Sequence, residues 1–379
     1  MLRWLPGRSV KAIVSAGGTG GHTYPALVVA ETLRHRGVDV LFAGGTGPEG
    51  ALARERGFEF AAVPSAKGSR SVGGMVRAAV PLARGFLRAV RVIARTKPDV
   101  VVGMGSYAAF AMVQAAVLAR TPTLIHEQNS VPGRANRFLG KQVRCVALTF
   151  ADAERYFPAG RCAITGLPTR PGIGAADRAE ARRQLGLRPD GPALLVLGGS
   201  QGARSLNQAV AAGLSRWLEA GVQVLHLTGP SHLDAAVAAA GSAVGNGYRA
   251  LAYCERMELA YAAVDLVLCR AGASTLAELA LCGLPALLVP YPYAADDHQR
   301  ANASAFVRAG AARLLTDADV AAGAATSQVL ELVANPELMA SMGTSAKSLA
   351  RPNAAEALAD LVCKLSVDSG RATPRTRRS

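Results

Sequence analysis

Short apolar runs punctuate the chain, each rich in Val, Leu or Ile and each stopping at glycine, proline or a polar cluster. In the first half they fall at 11–16, 38–43, 99–103, 122–126 and 143–148. In the second half they fall at 193–198, 222–227, 248–252, 264–269 and 285–289. Apolar runs of this length read as strands buried on both faces, and the stretches between them carry helical spacing. The alternation predicts a parallel sheet covered by helices, and its restart in the second half predicts two of them. The fold class expected is α/β, with two Rossmann-like doubly wound parallel-sheet domains facing a cleft. A length of 379 residues agrees with two domains. The Pro- and Gly-rich stretch 158–174 reads as the linker. One domain is expected over 1–163 and the other over 164–349. A helix at about 350–365 is expected to pack back on the first domain, and 366–379 reads as a basic, disordered tail.

The stretch Val100–Ala119 carries no charge over 20 residues, a length that matches a bilayer. Gly103, Gly105, Ser106 and Tyr107 interrupt it, and alanine contributes little hydrophobicity. A buried strand, a tight turn and an Ala-rich helix explain it better.

Charge changes the picture. The net charge is +15, and residues 1–165 hold 22 Lys and Arg against 9 Asp and Glu, whereas 166–379 hold 20 against 18. A basic first half predicts an anionic partner for that half, and a membrane surface is the expected one rather than nucleic acid. From Lys67 to Lys97 there are eight basic residues and no acid. Arg84, Arg88, Arg91 and Arg95 share one helical face after Pro81, flanked by Leu82, Phe86, Leu87, Val90 and Ile93. A solvated face is the plain reading, and a lipid-surface patch the one that the charge asymmetry favours. The six cysteines form no CxxC pair and sit mostly in apolar runs, as buried thiols of a reducing compartment do. No secretory signal is read at the start, since the apolar run after Lys11 stops at Gly17-Gly18.

Three glycine-rich loops, 16–22 (AGGTGGH), 103–107 (GMGSY) and 198–203 (GGSQGA), each follow a strand. Such loops let backbone N–H groups and a helix N-terminus approach an anion, although tight turns use glycine too. None completes GxGxxG, and the strand at 38–43 ends in Gly44-Gly45 without an acid for a ribose, which argues against a nicotinamide dehydrogenase. His22 stands just ahead of Pro25 and of a helix expected from about residue 24. It suits a general base, or a capping or core histidine. HEQN (126–129) closes a strand with four hydrogen-bonding side chains, costly to bury without purpose. In CRAGASTLAEL (269–279) small residues leave the backbone open, and Glu278 is placed to take a ribose diol. Asp296 to Gln299 follow the next strand and should face the same cleft. Asp317-Ala318-Asp319 has the DxD form of metal-dependent transferases, yet helix capping accounts for it better. No metal site is expected.

Together GGTGGH (17–22), GMGSY (103–107), HEQN (126–129), GGSQGAR (198–204), CRAGAST with Glu278 (269–278), and DHQ before Asn302 (297–302) resemble one family. It is the MurG-type N-acetylglucosaminyltransferases of peptidoglycan synthesis, family 28 of the GT-B glycosyltransferases, and the likeness spans about residues 11–362. The resemblance implies inverting transfer of N-acetylglucosamine (GlcNAc) from UDP-GlcNAc to the C4 hydroxyl of undecaprenyl-pyrophosphoryl-MurNAc-pentapeptide (lipid I), giving lipid II. It implies no cofactor, a peripheral place on the cytoplasmic face of the cell membrane, and cell-wall synthesis and division proteins as further partners. Carried over by position, the donor site comprises Thr19, Gly20, Gly21, Asn129, Arg170, Ser200, Cys254, Ala273, Ser274, Thr275, Leu276, Ala277, Glu278 and Gln299. The acceptor's pyrophosphate falls to Gly18, Gly103, Gly105, Ser106 and Tyr107. His22 is the implied base, with Glu127 and His126 as rivals. The chain departs from the family pattern at Leu167, where Asn is usual, and at Ser106, where a third glycine is usual. Two other readings remain open: another GT-B enzyme or a UDP-GlcNAc epimerase, and a non-catalytic nucleotide-sugar-binding partner of a membrane complex.

Overall fold

The computed structural model describes residues 9–18, 20–65 and 72–367. Thr19 and the basic tail beyond residue 367 lie outside the described residues. Contacts divide the chain into two units, Met1–Gln128 with Pro132–Arg170 and Asn353–Ser379, and Asn129–Val131 with Pro171–Pro352.

The first unit is built on strands β1 (Lys11–Ser15), β2 (Asp39–Gly44), β3 (Glu59–Ala62), β4 (Val100–Gly103), β5 (Thr123–Glu127), β6 (Cys145–Leu148) and β7 (Cys162–Ile164). They form one parallel sheet in the order β3-β2-β1-β4-β5-β6-β7. The order reverses at β1 and β4, where loops on opposite sides of the sheet part and leave a crevice at the strands' carboxyl ends. Helices α1 (Gly20–His35), α2 (Glu49–Glu55), α3 (Val72–Thr96), α4 (Tyr107–Leu118) and α5 (Arg134–Leu139) complete its layers. β1 and β4 are buried on both faces, and alternate side chains feed two cores, one with Val14, Val100 and Val102, the other with Ile13 and Val101. That two-sided burial is why these strands read as unbroken apolar runs.

The second unit repeats the plan with β8 (Ala193–Leu197), β9 (Gln223–Leu227), β10 (Tyr248–Leu251), β11 (Leu266–Cys269), β12 (Ala286–Leu288) and β13 (Ala312–Leu314). Its parallel order is β10-β9-β8-β11-β12-β13, with the reversal at β8 and β11. The helices are α6 (Arg178–Leu185), α7 (Arg204–Glu219), α8 (Leu233–Ala240), α9 (Met257–Ala262), α10 (Ala273–Cys282), α11 (His298–Arg308), α12 (Asp317–Ala321), α13 (Ala324–Val333) and α14 (Pro336–Ser348). The last described helix, α15 (Ala354–Val367), belongs to the first unit, where Leu358, Ala359 and Val362 join the core of Leu27, Ala30 and Leu33 from α1. Arg36 at the end of α1 pairs with Glu356 and Asp360 of α15.

The expected strands are present, most of them shorter by one to two residues and those at 38–43 and 122–126 shifted on by one, and three more occur. β3, β7 and β13 are all edge strands of three or four residues, too short and too exposed to write an apolar run. β7 lies inside the stretch read as linker. Helix α1 begins at Gly20 rather than near residue 24, with Pro25 inside it. Pro25 is the sixth residue of α1 and has no N–H for the carbonyl four residues back, so the helix runs through it with one ladder bond missing. Likewise α3 starts at Val72 and runs through Pro81. Val100–Ala119 is β4, a turn and α4, and no helix among the described residues is long and apolar enough to cross a membrane.

Candidate active site

In the first unit, the carboxyl ends of neighbouring strands β1, β4 and β5 bring together Gly18, Gly20 and Gly21, the loop Gly103–Tyr107, and His126 with Glu127. His22 lies in the first turn of α1, half-buried, with Nδ1 3.2 Å from the Met104 carbonyl oxygen. Donation from Nδ1 to that carbonyl leaves Nε2 as the ring's proton acceptor. Gly105 has φ +97° and a Cβ there would fall 2.7 Å from His22 Nδ1, so the loop closes on the imidazole only because residue 105 is glycine. Ser106 also has positive φ, 91°, uncommon for a side-chain-bearing residue and costing on the order of 1–3 kcal/mol. Its Oγ caps α4 by accepting from Ala109 N–H at 3.3 Å, which offsets part of that strain. Tyr107 opens α4 and is exposed.

His126 and Glu127 differ from His22 in their surroundings. His126 is fully buried, its Nε2 is 2.9 Å from the Gly166 carbonyl, and burial lowers its pKa to about 4. It is a neutral ring that ties β5 to the segment ahead of Arg170. Glu127 is 3% exposed and accepts from Asn136 Nδ2 at 2.8 Å. Arg170 lays its guanidinium over Tyr24, 5.1 Å from the ring centroid. Leu167 is packed as an apolar core residue.

Glu49 was not foreseen. It opens α2, is 1% exposed, and its Oε2 is buried with no hydrogen-bond partner among the described residues. A Cβ on Gly17 would lie 3.1 Å from its Oε1, and one on Gly47 would lie 2.5 Å from its Oε2. The glycines after β1 and β2 thus make room for a carboxylate as well as for a turn. The run GGTGPEG (44–50) was the signal, an acid at a helix start among four glycines.

In the second unit, loop 198–203 leads into α7, whose first N–H groups point back toward the loop. Gly202 has φ +75° and a Cβ on it would meet the Thr228 oxygen at 1.9 Å, so this loop interlocks with the turn after β9. A cavity of about 610 Å³ opens beside it, lined by Gly198, Gly199, Gly202 to Ser205, Gln208, Arg270, Gly272, Thr275, Tyr291, Gln299 and Asp317. Of the expected donor residues, Thr275 and Gln299 line this cavity. Gln299 is held by Tyr291 N–H, which donates to its Oε1 at 2.9 Å. Ser200 stands exposed in the same loop, Ser274 and Ala277 are half-buried on α10, and Ala273 and Leu276 are buried there. Cys254 is buried after β10, outside the lining. Glu278 is 6% exposed on α10. Asn129 accepts from Asn302 Nδ2 at 3.0 Å, and Asn302 Oδ1 accepts from Ser130 N–H at 2.8 Å.

An ion-paired cluster that the sequence did not disclose lies on the cavity wall. Arg270 Nη1 is 2.8 Å from Asp317 Oδ1, its Nη2 donates to Ser205 Oγ at 2.9 Å, and Ser205 donates to Asp317 at 2.8 Å. Capping around the DxD sequence is done by its neighbour and its second acid. Thr316 Oγ1 accepts from Asp319 N–H at 3.1 Å, and Asp319 Oδ2 accepts from Thr316 N–H at 2.8 Å. Asp317 serves the arginine instead.

Residues 12–148 match the model of the glycosyltransferase family 28 N-terminal domain, and 193–358 match that of its C-terminal domain. The chain belongs to glycosyltransferase family 28. Among family 28 relatives, one from Nitratidesulfovibrio vulgaris is 42% identical over 377 residues, 97% of this chain and 100% of its own. It is named UDP-N-acetylglucosamine--N-acetylmuramyl-(pentapeptide) pyrophosphoryl-undecaprenol N-acetylglucosamine transferase. A relative of the same name from Acidothermus cellulolyticus is 42% identical over 92% of this chain and 96% of its own. The crystal structure of Acinetobacter baumannii MurG superposes with TM-score 0.76 at 32% identity, covering 94% of this chain and 99% of that one. A UDP-GlcNAc 2-epimerase from Neisseria meningitidis, bound to UDP-GlcNAc, shares the fold at TM-score 0.64 and 13% identity, with 94% of this chain and 100% of that one covered. The family 28 chain is thus a glycosyltransferase built on two Rossmann-like units.

Proposed function

We propose that this glycosyltransferase moves GlcNAc from UDP-GlcNAc to the C4 hydroxyl of undecaprenyl-pyrophosphoryl-MurNAc-pentapeptide, making lipid II. The observation that carries this reading is full-length identity above 40% to transferases named for that reaction. The second unit takes the UDP-sugar and the first takes the acceptor. In the step, the C4 hydroxyl oxygen bonds to the anomeric carbon from the face opposite UDP, the bond to the UDP oxygen breaks, and the configuration inverts. The hydroxyl proton passes to His22 Nε2. The backbone N–H groups and dipole at the start of α7 stabilise charge on the departing diphosphate. His22 is favoured over His126 because it stands half-buried beside the glycine loop 103–107, whereas His126 is wholly buried and binds Gly166.

The lipid acceptor calls for a membrane-facing surface, and α3 offers one. Arg84, Arg88, Arg91 and Arg95 are exposed on one face together with Val80 and Leu87, which are 56% and 54% exposed. Ile93 and Phe86 turn instead toward the core of the first unit. The chain then works as a peripheral protein on the cytoplasmic leaflet, where anionic lipids draw the arginines and the apolar side chains insert.

Transfer of labelled GlcNAc to a lipid I analogue tests the reading directly. Conversion of UDP-GlcNAc without acceptor indicates an epimerase, and binding without any transfer indicates a non-catalytic partner; either result overturns the proposal.

A further inference from the structure

Glu278 sits in the middle of α10, 6% exposed, one turn beyond Thr275 on the wall of the 610 Å³ cavity. A carboxylate buried to that extent is stable only with hydrogen-bond donors around it. One donor comes from a different helix. The hydroxyl of Tyr261, on α9, lies 2.8 Å from Glu278 Oε2, and Tyr261 is itself 1% exposed. Burial pushes the phenol well above its ordinary value, with the nearby Glu278 charge acting in the same direction. The proton therefore stays on the tyrosine, and its O–H donates to the Glu278 carboxyl oxygen. The neighbouring thiols Cys269 and Cys282 are both pushed up to about 12, chiefly by burial, and stay uncharged. At 2.8 Å the bond has the ordinary length for a hydroxyl donor, and it marks where Oε2 stands.

A glutamate has rotatable bonds to fix before it can bind two hydroxyls at once, and fixing them on ligand binding weakens affinity. The ring of Tyr261 is immobilised by packing, so its hydroxyl holds Oε2 in one place before any ligand arrives. We propose that Tyr261 is a positioning residue for donor recognition, orienting the Glu278 carboxylate toward the ribose diol of the nucleotide. This rests on the reading of Glu278 as the ribose ligand. Tyr261 does not touch the nucleotide in this scheme; it acts through the glutamate.

The test uses the full-length protein and three ligands, UDP, 2′-deoxy-UDP and 3′-deoxy-UDP, by calorimetry. The wild type is expected to bind UDP on the order of tenfold or more tighter than either deoxy nucleotide. Tyr261→Phe, which keeps the ring, is expected to lose most of that preference while binding the deoxy nucleotides about as the wild type does. KM for UDP-GlcNAc should rise on the order of tenfold, with kcat at saturation little changed. A wild type that binds all three nucleotides alike removes the ribose reading of Glu278 itself. A wild type that discriminates, with Tyr261→Phe discriminating equally well, leaves that reading intact and overturns the role of Tyr261. Glu278→Gln and the double variant give a second readout, and all titrations are repeated in a stabilising osmolyte should Tyr261→Phe be too unstable without it. The phenylalanine should add no further loss of UDP affinity in the glutamine background, and an additive loss refutes the coupling.

Discussion

Acidification should unfasten the second unit at a single buried histidine. His226 on β9 is 1% exposed, with Nδ1 2.9 Å from the Tyr248 hydroxyl and Nε2 3.0 Å from Asn207 Oδ1. Burial lowers its pKa from 6.5 to about 4. A proton therefore binds the unfolded chain below pH 6.5 but the folded chain only near pH 4, so stability is intact above pH 6.5 and falls as the pH drops between those values. At about 1.36 kcal/mol per pKa unit, the loss is about 2 kcal/mol at pH 5 and about 3 kcal/mol by pH 4. Trp217, fully buried in the same unit, reports its unfolding by fluorescence, and Trp4→Phe removes the second tryptophan of the sequence. With a urea m-value of roughly 2 kcal/mol/M, the midpoint should move down by about 1 M between pH 7.5 and pH 5. Other groups titrate in that range, so the informative quantity is the difference from His226→Gln, which cannot take the proton. The variant is expected to be less stable at pH 7.5 and about 2 kcal/mol less sensitive to the acid shift. Equal pH dependence in both proteins would show that the ring is charged in the fold and refute the reasoning.

Glu278→Ala should weaken UDP binding by about 1.5–3 kcal/mol, the worth of hydrogen bonds to a charged group, and unchanged calorimetric affinity with the fold intact removes the assignment. His22→Ala should lower turnover by roughly 10²–10⁴-fold and leave UDP affinity nearly intact. Retained turnover, with Glu127→Ala or His126→Ala dead instead, moves the base elsewhere. Reversal of Arg84, Arg88, Arg91 and Arg95 to glutamate should abolish sedimentation with anionic vesicles while sparing transfer to a soluble acceptor, each arginine contributing about 1 kcal/mol at such a surface. If truncation after Asp368 abolishes it and the four-site variant does not, the helix face is merely solvated.

Much of the fold was legible because a central strand of a covered parallel sheet has no polar face to interrupt it, as in β1, β4 and β8. The edge strands β3, β7 and β13 lack that signature, since a neighbour is missing on one side and the apolar stretch is short. Glycine loops were legible for a related reason: Gly105 and Gly202 leave no room for a side chain, so the residue type itself records the contact. Partnerships between distant residues left no such record. Arg270 meets Asp317 and Ser205, and Tyr261 meets Glu278, across elements whose adjacency only the folded sheet decides. Asp317 illustrates the limit well, because capping and ion pairing use the same residue type at the same helix start.

The position of α15 has a consequence for how the protein is made. Its side chains Leu358, Ala359 and Val362 complete the core against Leu27, Ala30 and Leu33, yet most of the chain is synthesised between those two sets of residues. At roughly 5–20 residues per second, the apolar groove on α1 stays open for on the order of 10–40 s after residue 170 has been made. The second unit, nearly contiguous from Pro171 to Pro352, has all its strands available before the first unit has its last helix. Vectorial synthesis therefore reverses the order in which the two halves can be completed, and the half with the basic helix α3 is finished last. A nascent chain stalled before residue 354 would present a sticky groove to chaperones while its second unit is already closed.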